Sequence, residues 1–144
     1  TLWNGKHLYV ASHVGQATAT PGYPSLLYRF SYDRASKSYT LDPGFPERIN
    51  GNSSETLVID QDSTGRLWAT WVQDGHVTVA YTTDRDRSWS RPFVLPAEGV
   101  DVGPDISSVV AFGGDSIGVF WGNQRTDRFY FSVHRDSSPQ SQVV

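Results

Sequence analysis

The chain has 144 residues, a formal net charge of −3 and no cysteine. Its twelve basic residues are scattered, which argues against a nucleic-acid partner, because phosphate binding wants a clustered basic face. The missing cysteines exclude a disulfide framework and thiolate zinc sites, and no apolar run approaches the roughly 20 residues that span a bilayer.

Aromatic residues make up 13 % of the chain, beside 13 Gly and 8 Pro, a composition of short strands and many turns. No window holds apolar residues at helical spacing. No signal peptide is present. The chain starts at Thr1, which fits the removal of upstream sequence.

In chain order, Leu2-Trp3 reads as the end of a strand and Asn4-Gly5 as a turn. Residues 6–12, KHLYVAS, form a second strand. Residues 13–24, HVGQATATPGYP, are small and polar with two prolines and read as an elongated surface loop. A third strand follows over residues 27–32. The plan then recurs: strand 56–60, turn Ser63-Thr64-Gly65, strand 66–71, short break Gln73-Asp74-Gly75, strand 77–83. A third copy has strand 107–112, turn Gly113-Gly114-Asp115, strand 116–121 and strand 128–133.

Leu8, Leu67 and Ile117 align as equivalent second-strand positions, and Phe30, Tyr81 and Phe131 as equivalent third-strand positions. Alternation puts Tyr28 and Phe30, Val79 and Tyr81, and Phe129 and Phe131 on one face, with Arg29, Ala80 and Tyr130 on the other. A period near 50 with four strands per unit predicts an all-β partial propeller of two to three antiparallel blades. The units are about 1–49, 50–100 and 101–144, within one domain. The blade count makes the chain a piece of a longer protein, with open strand edges and apolar faces at its ends. A two-layered β-sandwich is the alternative.

Residues 82–89, TTDRDRSW, form the most specific local pattern. A hydroxyl and a carboxylate two residues apart brace the turn backbone, and the Trp packs back between strands. This stretch resembles the Asp box of sialidase-like β-propellers, Ser/Thr-x-Asp-x-Gly-x-Thr/Ser-Trp. Thr82, Asp84, Ser88 and Trp89 fit it, while Asp86 stands at the Gly position. Ser31 and Asp33 fit in the first copy, with Tyr39 in place of the Trp. Ser132-Val133-His134 lacks the Asp.

The resemblance implies that Thr82, Asp84, Ser88, Trp89, Ser31 and Asp33 are structural. It also implies an extracellular or cell-surface location. Arg48-Ile49-Asn50 is a partial echo of the family's Arg-Ile-Pro stretch, but no arginine triad and no Tyr/Glu nucleophile pair can be assigned. Fold likeness alone carries no sialidase chemistry.

Candidate binding residues come from register. Glu55 and Asp105 each lie twelve residues before the aligned Leu67 and Ile117, at the start of an innermost strand. There they would ring a central channel and hold a cation, accept sugar hydroxyls or form a catalytic carboxylate pair. Loops on the same face add His13, Asp74, Asn123, Gln124 and Arg125, with Arg125 suited to a carboxylate or a sugar ring. Against each stands a plainer reading: backbone capping for the acids and solvated surface for Arg125 and His13.

Trp71 and Trp121 are register-equivalent and read as packing between units. Residues 60–65, DQDSTG, resemble a calcium loop without its full ligand series, so a hairpin turn is the plainer reading, calcium is the one candidate cofactor and no other is expected. Asn52-Ser53-Ser54 fits the glycosylation sequon. The expected function is a module binding carbohydrate or protein. The alternatives are a glycosidase completed by further blades and a structural spacer.

Overall fold

A computed structural model of the chain describes residues 1–16 and 18–139. Among these there are thirteen strands and no helix. They form three antiparallel sheets, none closed into a barrel.

The first sheet holds β1 (Leu2–Trp3), β2 (His7–Ser12), β3 (Pro21–Asp33), β4 (Ser38–Leu41) and β5 (Glu47–Asn52). The second holds β6 (Glu55–Gln61), β7 (Leu67–Gln73), β8 (His76–Asp84), β9 (Arg87–Trp89) and β10 (Phe93–Val94). The third holds β11 (Ser107–Phe112), β12 (Ser116–Asn123) and β13 (Arg128–Arg135). In the first two sheets the fourth, outer strand is broken in two: β3 pairs with both β4 and β5, and β8 with both β9 and β10.

The sheets stack in chain order, face to face. Tyr9 and Leu27 of the first sheet pack on Leu67, Ala69 and Trp71 of the second. Trp68, Val72 and Val79 of the second pack on Ile117, Val119 and Trp121 of the third. The second sheet is therefore covered on both faces, which is why β7 reads LWATWV with no polar alternation. Three sheets in series also rule out two facing layers.

Leu8, Leu67 and Ile117 take the same seat. Leu67 and Ile117 each face the preceding sheet. Leu8 alternates with the inward Tyr9 and so points to the same side of its own sheet, where no sheet among the described residues covers it.

The third strands depart from the expected alignment. Leu8 is laddered to Phe30 and Ile117 to His134, while Trp68 opposite Tyr81 puts Leu67 opposite Thr82. The equivalent residues are thus Phe30, Thr82 and His134, not Phe30, Tyr81 and Phe131. Phe30 and Tyr81 lie on opposite faces of their sheets. Turn length differs between the copies, and a one-residue slip reverses the face.

The loop expected over residues 13–24 ends earlier. Pro21 already belongs to β3 and pairs with Asn52, across two register shifts between Pro21 and Leu26. Proline is tolerated there because it opens the strand. Val14 and Thr20 lie over the start of the second sheet, their carbonyls accepting from the amides of Ser54 and Ser53.

Candidate functional site

The turn between β12 and β13 builds the clearest concave site. A cleft of about 370 Å³ is lined by Asp105, Gly122, Asn123, Gln124, Asp127, Arg128 and Phe129. It continues along the third sheet past Phe120. The Phe129 ring is 78 % exposed and stacks on Phe120, centroids 5.5 Å apart.

Two expected residues meet in this cleft. Asp105 is buried, and its Oδ2 accepts a hydrogen bond of 2.9 Å from the Gln124 amide. It lies two residues ahead of β11 rather than at its start. Asn123 is also buried. Its Nδ2 donates to the carbonyls of Gly99 and Asp101, and its Oδ1 accepts from the Arg125 amide. Asn123 therefore fixes the turn, while Asp105, Gln124, Asp127 and Arg128 supply polar groups beside an aromatic face.

The other expected residues sit elsewhere. Glu55 opens β6 opposite Val72, across a register shift that ends at Val58, so it is in a ladder where Asp105 is outside one. Arg125 does not line the cleft: its guanidinium pairs with Asp101 at 2.5 Å, both side chains more than half exposed. His13 is exposed in the segment ahead of β3. Asp74 accepts the Ala19 amide at 2.9 Å and so ties that segment to the second sheet. Asn50 is buried and donates to the Gln73 side chain, while Arg48 beside it is exposed.

The hairpin tip at β8–β9 is braced by hydroxyls. Thr82 Oγ1 accepts from the Leu67 amide and donates to the Arg85 carbonyl; Thr83 Oγ1 donates to the Ser88 carbonyl. Ser88 has a φ of 51°, and Trp89 packs against the core between the first two sheets. Among the described residues the Asp84 carboxylate makes no side-chain hydrogen bond. In the first sheet Asp33 accepts the Ala35 amide at 2.8 Å, and Ser31 lies 3.3 Å from His7 Nδ1.

Asp86, which stands where the Asp-box pattern has Gly, carries a separate cluster. Its Oδ2 accepts from Tyr9 Oη at 2.7 Å and from Arg29 Nη1 at 2.6 Å. Arg29 Nε also donates to Asp42 Oδ2 at 2.5 Å, and His7 Nδ1 lies 3.4 Å from that oxygen. Burial pushes the Asp86 carboxyl up, but hydrogen bonds from Arg29 and Tyr9 and the Arg29 charge outweigh it and hold the carboxyl below its ordinary value. Asp42 is likewise pushed up by burial and held lower overall, by Ser31 and Arg29. His7 is lowered by burial and by the Arg29 charge. Burial and the bond to Asp86 raise the Tyr9 phenol. Every member has a partner, so the cluster locks the first sheet to the second. Sequence reasoning passed over it because its members lie far apart in the chain. The one local signal was an acid at a position the pattern gives to Gly.

The residues 60–65 that resemble a calcium loop form a hairpin turn. Asp62 Oδ1 accepts from the amides of Thr64 and Arg66, and its Oδ2 from Trp68 Nε1. Asp60 Oδ2 accepts the Ala111 amide of the third sheet. Both carboxylates are committed to the fold, and among the described residues no group of three or more His, Asp or Glu is placed to hold a metal ion.

No protein-family model matches the chain, and no curated protein matches it.

Proposed function

We propose that the chain is a set of blades from a sialidase-like β-propeller, acting as an extracellular or cell-surface module that binds carbohydrate at the cleft between Asp105 and Phe129. Support for the fold comes from three sheets stacked in one sense with equivalent seats and a hydroxyl-braced hairpin tip. The observation that carries the binding reading is the composition of the cleft. An exposed ring already stacked from below offers a flat platform for a sugar face, and a carboxylate, an amide and a guanidinium beside it match hydroxyl groups.

The test is glycan-array screening of the full chain, with titration calorimetry on the hits. Phe129→Ala removes the platform at a side chain that is itself 78 % exposed, so it is expected to weaken glycan binding by about tenfold, the scale of one aromatic contact. Absence of glycan binding, or binding unchanged by Phe129→Ala, rejects the reading. Asp105 and Asp127 share the cleft, which favours a glycosidase as the second reading. Arylglycoside turnover lost in Asp105→Asn would establish it, and no turnover would remove it.

A further inference from the structure

We propose that the cleft beside Phe129 sorts sugars by charge and that Asp105 decides the outcome: neutral sugars are taken, and sugars that carry a carboxylate are disfavoured. This names the ligand class for the carbohydrate reading above and rests on that reading.

Three charged side chains line the cleft: Asp105, Asp127 and Arg128. They do not weigh equally. Asp127 and Arg128 are chain neighbours on the turn, both exposed and opposite in sign. Their fields on a ligand largely cancel, and dissolved ions screen the remainder. Asp105 is 8 % exposed, and the Gln124 amide holds its Oδ2 at 2.9 Å. Its charge is therefore the one that stays in place and is poorly screened.

Position makes that charge count. Asp105 Oδ1 and the edge of the Phe129 ring converge over Gly122, where a Cβ would lie 3.8 Å from the oxygen and 3.5 Å from Phe129 Cε1. Gly122 and Phe129 are ladder partners in β12 and β13, so strand pairing sets the ring over the bare glycine. Among the described residues Oδ1 accepts no hydrogen bond. A sugar face laid on Phe129 thus brings a substituent to an acceptor that only an O–H or N–H can satisfy. A hydroxyl supplies that proton. A carboxylate has none to give, and two like charges held together away from water repel.

Titration calorimetry of the full chain tests this, with methyl glycosides of glucose, galactose and mannose, each beside the uronide of the same sugar. The members of a pair differ only in a hydroxymethyl group against a carboxylate. The neutral member should bind about tenfold tighter or more, and the preference should survive high salt because Asp105 is buried. Asp105→Asn keeps an oxygen for the Gln124 amide and should remove most of the preference. Gly122→Ala, whose methyl group fits at ordinary contact distances, should weaken both members by a similar factor. Circular dichroism checks both folds, and if Asp105→Asn fails to fold, the salt response of the unchanged chain still decides. A uronide that binds as tightly as its neutral partner overturns the proposal and leaves the carbohydrate reading standing. So does a preference unchanged in Asp105→Asn, or one that vanishes at high salt, as the chain's net charge of −3 would produce. Binding indifferent to Gly122→Ala, or no binding by any member of any pair, overturns the proposal together with the reading of the cleft.

Discussion

A single side chain, Arg29, neutralises two carboxylates that come from different sheets. Its Nε meets Asp42 and its Nη1 meets Asp86, with all three side chains less than a fifth exposed. Removing it leaves two acids facing each other in a place where water reaches them poorly. Arg29→Ala should destabilise the fold by roughly 3 kcal/mol, the scale of breaking a buried pair, as a drop in urea midpoint would show. Asp86→Gly should cost less, because Arg29 keeps Asp42 as a partner and no acid is left unpaired.

The same cluster sets an acid limit. Asp42 and Asp86 titrate below their ordinary range in the folded chain, so the unfolded chain binds protons first as pH falls. Their contribution is full above about 3.9 and is lost below it. His7 is also lowered, so the unfolded chain takes up its proton first too, and stability should begin to fall below about 6.5. Urea midpoints across pH 7 to 4 would show the first decline, and His7→Gln should flatten it between 6.5 and 5.

Among the elements, the segment between β10 and β11 behaves unlike a loop of its composition. It contains Pro96, Gly99 and Gly103, yet it is held along its length. Leu95 donates to the Val77 carbonyl, Val77 to Val100 and Val102 to Gly75. The Gly99 carbonyl accepts from both Trp121 Nε1 and Asn123 Nδ2. Glu98 is exposed, but its backbone cannot enter a protease cleft while these bonds hold. A Glu-specific protease should spare the Glu98–Gly99 bond in the native chain and cut it in Asn123→Ala. Equal cutting in both would refute this.

Element types were legible because strand alternation and turn residues are local. The ladders of β6, β7, β11 and β12 lie close to where the apolar runs put them. Register was not legible in the third strands. It depends on how many residues each hairpin tip absorbs, and β3 runs four residues past β8 in length by borrowing a second partner, β5. Of the site, Asp105 and Asn123 could be placed from the repeat. Phe129 could not be assigned to the cleft, because in the sequence it reads as one more apolar strand residue, and only an uncovered face makes it a surface.

For the molecule as a whole, the two cores do not carry equal duties. One joins the first and second sheets, the other the second and third, and Trp71 and Trp68, neighbours in one strand, face into different cores. Every apolar junction thus passes through β7 and β8. The second sheet serves the chain as a keystone serves an arch: the outer members lean on it and it leans on both. Damage near residue 69 would be felt at either end, whereas damage to an end face would stop at the middle.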